Sequence, residues 1–167
     1  MTTRAEAIQI LTAHDAALDQ VVAALPAAVR DHVAAAGDER WSVADAVGHI
    51  AFWTELALES IERWRADDPP RVVAIFGDRT IDRANLEDVV AHRGDGLTVA
   101  RERLERARRA LMARIGALTD EDWHHVPSFK LPRRRPLGEF IAGVLGAPDQ
   151  PFGHVGAHLD DLRALAD

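Results

Sequence analysis

Apolar residues recur at every third or fourth position through four long stretches of the chain, as expected for amphipathic helices. The third stretch is the clearest, because leucines stand at seven-residue intervals at positions 97, 104, 111 and 118. In the first stretch the apolar positions run from Ile8 to Leu25, and in the second they run from Val43 to Trp64. The pattern predicts main helices over residues 3–25, 42–66, 97–118 and 151–166.

Residues that start helices agree with this division. Ser42 can cap the second helix with Asp45 in its first turn, and Thr119 with Asp122 indicates one more capped turn after the third helix. Pro151 fits the first turn of the last helix, because a proline at that position gives up an N–H that the helix does not use. The boundaries are therefore predicted by local chemistry as well as by periodicity.

The connections are predicted to hold shorter elements. Residues 67–80 include the apolar run 72–76, which we interpret as part of a packed loop, because a lone strand would have no partner in so helical a chain. With no hairpin signal and no alternation of strands with helices, the chain is predicted to be all-α. We expect one domain over residues 1–167, a four-helix bundle with short extra helices in its connections. The short helices are predicted over residues 27–36 (ended by Gly37), 78–92 and 137–145, and an irregular segment over 124–136.

Composition narrows the classes of function. The net charge of −7 and the isoelectric point of about 5.6 make nucleic acid and anionic membranes poor partners, so we expect neither. No apolar run is long enough to span a bilayer and no signal peptide is apparent, which predicts a cytoplasmic protein. The chain has no cysteine, so disulfides, thiolate nucleophiles and cysteine metal ligands are excluded.

Three histidines in two separated segments carry the strongest chemical signal. His154 and His158 are four residues apart, on one face of the last helix, which suits two ligands of one divalent metal. His49, on the second helix, would complete a three-histidine site with open coordination positions. Gly153 and Gly156 flank the pair, and glycine is tolerated in a helix where a backbone must be approached closely. The alternative is that these histidines are ordinary core or boundary residues.

Other residues are weaker candidates for the same site. Asp161 lies one turn after the last of these histidines and could accept an imidazole hydrogen bond, act as a general base, or simply be solvated. Phe52 and Trp53 could wall a substrate pocket or be plain core. Arg133, in the basic run 130–135, could bind an anionic group, although the chain's strong preference for arginine over lysine favours a solvated loop. His14 is expected at the surface or its boundary, and His32 and His92 are expected to be exposed. The adjacent His124 and His125 would point in different directions from a helix, so they cannot chelate a metal as a pair four residues apart can.

The order and spacing of these motifs resemble the DinB/YfiT superfamily, and most of all its ClbS/DfsB-type members. The motifs are WSVADAVGHIAFW at 41–53, a leucine-rich helix, and FGHVGAHLDDL at 152–162. The resemblance implies a four-helix bundle that often forms homodimers, with a divalent metal such as nickel or zinc bound by His49, His154 and His158. Known members include thiol-dependent transferases, a maleylpyruvate isomerase and proteins that disarm a reactive genotoxin, which implies a low-molecular-weight thiol as a second cofactor.

The chemistry of such a site leads to three hypotheses. Neutral imidazoles leave a bound cation with its full charge, which can lower the pKa of water to about 7 or activate a thiol. We therefore expect a metalloenzyme, either a hydrolase or a thiol S-transferase, that acts on a small electrophilic molecule in detoxification or self-protection. The second hypothesis is a non-catalytic bundle that binds or sequesters a small molecule, and the third is a structural dimer module without metal.

Overall fold

The computed structural model of the chain describes residues 2–35, 40–77 and 80–165. Within these ranges the chain is helical, and its only β-type pairing is an isolated bridge between Ala147 and Gln150. No helix in the described ranges combines the length and apolarity needed to cross a membrane. The helices are α1 Arg4–Ala24, α2 Ala27–Arg30, α3 Val43–Arg65, α4 Arg71–Gly77, α5 Ile81–His92, α6 Leu97–Ala117, α7 Asp120–His124, α8 Leu137–Val144 and α9 His154–Ala164.

Capping boxes fix the starts of several helices. At α3, Ser42 Oγ accepts a hydrogen bond from the Asp45 backbone N–H at 3.1 Å, and Asp45 Oδ2 accepts one from the Ser42 N–H at 2.8 Å. Thr119 and Asp122 make the same reciprocal pair at α7. Each box satisfies backbone donors that a helix leaves free at its first turn. Both predicted capping pairs are therefore confirmed.

The four main helices, α1, α3, α6 and α9, form a bundle. α3 packs mainly on α6, while α1 packs on α9 and α6, so the consecutive long helices α1 and α3 lie diagonally across the bundle. The core has two clusters, one containing the large side chains of Trp64, Trp123 and Phe140 and one containing Val47 and Leu104. The prediction of an all-α four-helix bundle with short helices in its connections is confirmed.

Three local predictions need correction. Residues 71–77 form helix α4 and not a packed loop, because Val72 and Ile75 are buried in the core at helical spacing. Pro151 does not lie in the first turn of α9, which begins three residues later at His154. Helix α2 ends at Arg30, so it is shorter than the short helix predicted over residues 27–36. The helix boundaries predicted at Gly37, Asp78 and Ala166 lie outside the described residues.

Candidate metal centre

The packing of α9 against α3 brings the three predicted histidines together. The ring centroid of His49 lies 5.0 Å from those of His154 and His158, which are themselves 4.9 Å apart. One ring nitrogen from each residue can be chosen so that all three lie within 4.8 Å of one another. That separation lets one cation reach all three imidazoles after small ring rotations. The arrangement is the one expected of three ligands on one side of a metal ion.

Two of these imidazoles carry buried nitrogen atoms without a partner. His49 Nδ1 and His154 Nε2 are inaccessible to solvent and make no hydrogen bond within the described part of the chain. Most buried polar atoms in folded proteins are paired, so an unpaired nitrogen in such a place needs an explanation. A bound divalent cation would supply the missing partner, because imidazole nitrogen is a common ligand of zinc and nickel. The residues present therefore fit a metal ion.

Burial keeps these histidines in the form that binds metal. Loss of solvent, followed by the nearby rings of His154 and His158, lowers the pKa of His49 to about 3. Loss of solvent, and then His158, lowers the pKa of His154 to about 4, against the opposing effect of a hydrogen bond to the Gly146 backbone. Both imidazoles are thus neutral near pH 7 and have a lone pair available for a cation.

Outer contacts hold two of the rings in place. The Gly146 backbone interacts with the His154 imidazole, whose Nε2 has no hydrogen-bond partner within the described residues. Asp161 Oδ2 lies 3.4 Å from His158 Nδ1, within ion-pair distance. The structure thus places Asp161 beside His158, one of the three candidate ligands. Its role as an acceptor or a base stays a prediction.

Aromatic side chains enclose the site. The Trp41 ring lies 4.9 Å from that of His49, and the Trp53 ring lies 5.8 Å from that of His154. Trp53 is itself fixed, since its Nε1 donates to Asn85 Oδ1 at 3.0 Å and its ring stacks on Phe76 at 6.0 Å. These contacts connect α4 and α5 to the wall of the histidine site. Apolar walls strengthen electrostatic interactions inside a site by excluding water.

Comparison with known proteins assigns the family. A model of the DinB superfamily matches residues 10–158. The chain belongs to the DinB superfamily. No curated protein sequence matches it. The resemblance noted from the histidine motifs is therefore confirmed at the level of the superfamily.

Solved structures share the fold of this DinB superfamily member at low sequence identity. An uncharacterised protein from Escherichia coli UTI89 is 14% identical with a TM-score of 0.74, covering 99% of this chain and 94% of its own. A mutant of mycothiol-dependent maleylpyruvate isomerase is 14% identical with a TM-score of 0.68, covering 97% of this chain and 63% of its own. Colibactin self-resistance protein ClbS, in complex with dsDNA, is 15% identical with a TM-score of 0.68, and the match covers 98% of this chain and 97% of ClbS.

The ClbS complex corrects one expectation. The net charge of −7 predicts that nucleic acid is not a partner, and that prediction is wrong. A protein with this fold has been crystallised with double-stranded DNA, so overall charge does not exclude nucleic acid for a DinB bundle. The reason is physical: DNA contacts depend on the local arrangement of cations, which a sum over the chain does not describe.

Some candidate residues of the DinB bundle lie away from the histidines. The Arg133 side chain is 81% exposed, and its ion pair is with Glu139 at 3.8 Å. Phe52 is buried and touches Trp53, but it lines a separate cleft together with Arg71. His32 is exposed, as predicted, and so are His124 and His125. His92 is only partly exposed, and its Nδ1 lies 2.9 Å from the Asp88 carbonyl oxygen.

The loop before α9 contains structure that the sequence did not reveal. Phe152 is buried with φ of +61°, a region that bulky residues seldom adopt. Its N–H donates to Ala142 O at 3.0 Å, and the His154 N–H donates to Leu145 O at 2.9 Å. The α8–α9 connection is therefore held firmly in the conformation that presents His154.

His14 also lies in the region of the site, through a contact that its sequence position does not reveal. It lies at the boundary of the core, as predicted, but its Nδ1 is 3.0 Å from Phe152 O and must carry the proton that a carbonyl accepts. The sequence does contain a signal that His14 faces inward, since helical spacing places it on the same face of α1 as the buried Leu11 and Leu18. An inward polar residue on such a stripe needs a partner, and here the partner is the backbone that leads into α9.

Proposed function

We propose that this protein is a divalent-metal-dependent enzyme that acts on a small electrophilic substrate. The observation that carries the proposal is the meeting of His49, His154 and His158, two of which have buried nitrogens without partners. Three protein ligands leave coordination positions open, which distinguishes a catalytic site from a structural one. A bound cation would supply the positive charge that makes water or a thiol a better nucleophile near neutral pH.

The protein's own residues would prepare this site in advance. Burial keeps His49 and His154 neutral, so metal binding does not have to displace protons from these two residues near pH 7. The Gly146 backbone and Asp161 orient the rings of His154 and His158, respectively. Trp41 and Trp53 limit water around the imidazoles and offer flat surfaces to a substrate. This is the preorganisation that electrostatic catalysis requires.

The class of reaction is supported by two proteins of the same fold. One is a mycothiol-dependent isomerase and the other protects against colibactin. Both names concern reactive small molecules, and one concerns a thiol cofactor. We infer that this chain catalyses hydrolysis of an electrophile or addition of a low-molecular-weight thiol to it, in detoxification or self-protection. A protein that only sequesters such a molecule is the alternative, and it would show protection in a one-to-one ratio without turnover.

The test begins with metal content. The untagged protein is purified beside His154→Ala/His158→Ala and a matched control, His32→Ala/His124→Ala, which removes two exposed histidines. Plasma mass spectrometry is expected to find about one metal per chain in the wild type and control and none in the site variant. An empty wild type that also fails to take up added Ni²⁺ or Zn²⁺ overturns the proposal. Loaded protein is then screened with electrophiles, with and without thiols.

A second candidate function, contact with duplex DNA, rests on the loop before α8. Lys130 and Arg134 are exposed and make no ion pair within the described residues, and Arg133 has only a distant one. The loop is held in place because the Phe129 ring packs on Trp64 at 5.3 Å. Three cations presented together on a fixed loop could bind backbone phosphates even in an acidic protein.

Salt dependence tests this second candidate. Binding of a fluorescent 20-base-pair duplex is measured by anisotropy for the wild type and for Lys130→Gln/Arg133→Gln/Arg134→Gln. If three phosphates are contacted, the slope of log affinity against log salt should become shallower by about 2.7 in the variant. A matched control is Arg30→Gln/Arg114→Gln/Arg163→Gln, which removes three exposed or half-exposed arginines that already have acidic partners. Absence of binding at low salt, or equal loss in the control, rules out this role for the loop.

A further inference from the structure

A second feature beside the histidine site is a cleft between α3, α4 and α5. It has a volume of about 440 Å³. Phe52 and Ile75 are the buried apolar residues of its lining, while Arg71 and Arg83 bring positive charge to it. Clefts of a few hundred Å³ with apolar walls and a few polar groups are the usual binding sites for small molecules. The histidine site alone makes no use of this space.

The two arginines have terminal nitrogens that are free to bind an anion. Arg83 donates from Nε to Glu87 Oε1 at 2.7 Å, and Arg71 Nε lies 3.5 Å from Glu59 Oε2. Neither residue makes a hydrogen bond from an Nη atom within the described part of the chain. The paired terminal nitrogens of a guanidinium match the two oxygens of a carboxylate. The cleft therefore offers two guanidinium groups whose terminal nitrogens are unpaired within the described residues.

The acidic residues in the described part of the lining are already paired. Asp88 Oδ1 accepts from Arg103 Nη2 at 2.9 Å, and Glu87 is held by Arg83. An incoming carboxylate would thus meet acids that are already paired, beside the unused Nη groups of Arg71 and Arg83. The Thr80 hydroxyl also lines the cleft and makes no hydrogen bond within the described residues. This balance favours an anion over a cation as the ligand.

The apolar lining suits a flat or aliphatic body attached to that anion. The Phe52 ring is buried, and the Arg71 guanidinium carbon lies 5.8 Å from its centroid. A cation held near an aromatic ring is oriented by the ring as well as by its charge. An aryl or acyl group could lie against Phe52 while its carboxylate reaches Arg71. The cleft would then recognise two parts of one molecule.

The cleft is one helical turn away from the histidine site. Phe52 follows His49 by three residues on α3, which makes the two side chains neighbours on one face. Trp53 joins the two places, since its ring lies 5.7 Å from that of Phe52 and 5.8 Å from that of His154. Trp53 is buried between the two places, so a molecule that extends from the cleft toward the three histidines would have to pass its ring.

We propose that this cleft binds the carboxylate end of an elongated, partly apolar electrophile whose reactive end faces His49, His154 and His158. The inference rests on the proposed metal-dependent function and adds a substrate class to it. Arg71 and Arg83 are its specificity-determining residues, and Phe52 is the surface for the body of the substrate.

Binding of a simple probe tests the cleft directly. The probe is 4-fluorobenzoate, followed by fluorine NMR, on the wild type and on Arg71→Gln/Arg83→Gln. Affinity is expected to fall about tenfold in the variant, the effect of losing a charged hydrogen bond. The control Arg30→Gln/Arg114→Gln removes two cations outside the cleft and should change affinity by less than about twofold. The uncharged isostere 4-fluorobenzamide should bind the wild type more weakly than the acid. Equal binding by the amide, or by the cleft variant, overturns the proposal.

The metal-free variant His154→Ala/His158→Ala separates this proposal from the function on which it rests. Binding of 4-fluorobenzoate is expected to persist in that variant, because the cleft lacks both residues. Loss of binding there would place the carboxylate at the histidines and overturn the cleft. A wild type that holds no metal but binds the probe through Arg71 and Arg83 would instead overturn the metal-dependent function and leave an anion-binding cleft.

Discussion

The imidazole of His14 on α1 donates a hydrogen bond from Nδ1 to the backbone oxygen of Phe152, over a distance of 3.0 Å. Phe152 has φ of +61°, a conformation that a bulky residue keeps only when its surroundings hold it. His154 begins α9 two residues later. The contact therefore couples α1 to the backbone that sets the direction of a candidate metal ligand, although His14 itself does not touch the other histidines.

Removing this contact should weaken metal binding more than it weakens the fold. In His14→Ala the Phe152 carbonyl loses its donor, and the segment that presents His154 becomes less constrained. We expect metal affinity to fall about tenfold, as for other residues that orient ligands, and the melting temperature to fall by about 2–4 °C, as for one lost hydrogen bond. Competition with a chromophoric chelator and calorimetry give the two values.

His14→Gln is the matched control for this prediction, because its side-chain amide can still donate to the carbonyl of Phe152. It should recover part of the metal affinity. If His14→Ala binds metal as tightly as the wild type, the loop before α9 is held by its other contacts and His14 has no positioning role.

The two glycines that flank His154 should respond differently to alanine. A Cβ on Gly153 would lie 2.6 Å from Gln150 Cβ and 3.0 Å from Gln150 O, so Gly153→Ala forces the turn to move. A Cβ on Gly156 would meet only His14 Nε2, at 3.9 Å, which is ordinary contact. We expect Gly153→Ala to lower the free energy of unfolding by about 1–3 kcal/mol, and Gly156→Ala to raise it by up to about 1 kcal/mol through helix propensity. Urea denaturation of both variants measures these changes in the free energy of unfolding. Equal changes in the two variants would contradict the close approach at Gly153.

The sequence predicted the parts of this fold that depend on local chemistry. The capping pair of Ser42 and Asp45 depends on two residues three positions apart, and the apolar periodicity of α6 depends on one helix face. Likewise, His154 and His158 could be paired from their spacing alone. Their meeting with His49 needed the whole bundle, and the sequence reached it through resemblance to a family.

What the sequence missed depends on tertiary contacts. Helix α4 has only seven residues, too few for apolar periodicity to distinguish a helix from a packed loop. Burial of Val72 and Ile75 against the core stabilises it. The turn before α9 was missed because positive φ falls on Asp149 and Phe152, where no glycine marks it. The pattern shows which side chains are apolar but not which backbone carbonyl a distant residue such as His14 will bind.

Arg103 should be needed to hold α5 against α3 and α6. Its guanidinium donates to Glu55 at 2.6 and 2.9 Å and to Asp88 at 2.9 and 3.3 Å, and its side chain is 13% exposed. Arg103→Met would leave Asp88, which is 9% exposed, without its cation. Removing one partner of a buried pair costs about 3–5 kcal/mol, and we expect the lower end because Glu55 is 38% exposed.

Hydrogen exchange of α5 and urea denaturation measure this effect. Arg83→Met is the control, since its ion pair with Glu87 lies at the surface and should contribute little to stability. Faster exchange confined to α5 in Arg103→Met would show that the helix undocks locally. An effect no larger than that of the control would mean that α5 is held mainly by its apolar contacts.

Acid should destabilise the metal-free protein through its buried histidines. The pKa of His49 is lowered to about 3 and that of His154 to about 4 in the folded state, whereas the unfolded chain has the ordinary value of 6.5. Below pH 6.5 the unfolded state therefore binds more protons than the folded state, and stability falls as pH decreases toward 4. Above pH 6.5 both states are neutral and the histidines contribute no pH dependence.

Asp15 acts in the opposite direction over part of the same range. Burial outweighs the attraction of Arg108, whose Nε lies 2.7 Å away, and raises the pKa of Asp15 from 3.8 to about 6. Its contribution to stability is therefore full below pH 3.8 and lost as pH rises through 6. With two histidines opposing one carboxyl, the free energy of unfolding should decrease by about 2 kcal/mol between pH 6.5 and pH 5.

Urea denaturation in the presence of a chelator, at several values of pH between 6.5 and 5, measures this slope. His49→Gln removes one buried imidazole and should leave less than about 0.5 kcal/mol of the loss, because the effects of His154 and Asp15 then nearly cancel. Asp15→Asn removes the opposing carboxyl and should enlarge the loss. The slopes are compared and not the absolute stabilities, because Asp15→Asn also leaves Arg108 without its partner. A slope that is the same in His49→Gln and in the wild type would show that His49 binds protons as readily in the folded state as in the unfolded state. The site would then be less dry than the enclosing rings of Trp41 and Trp53 indicate.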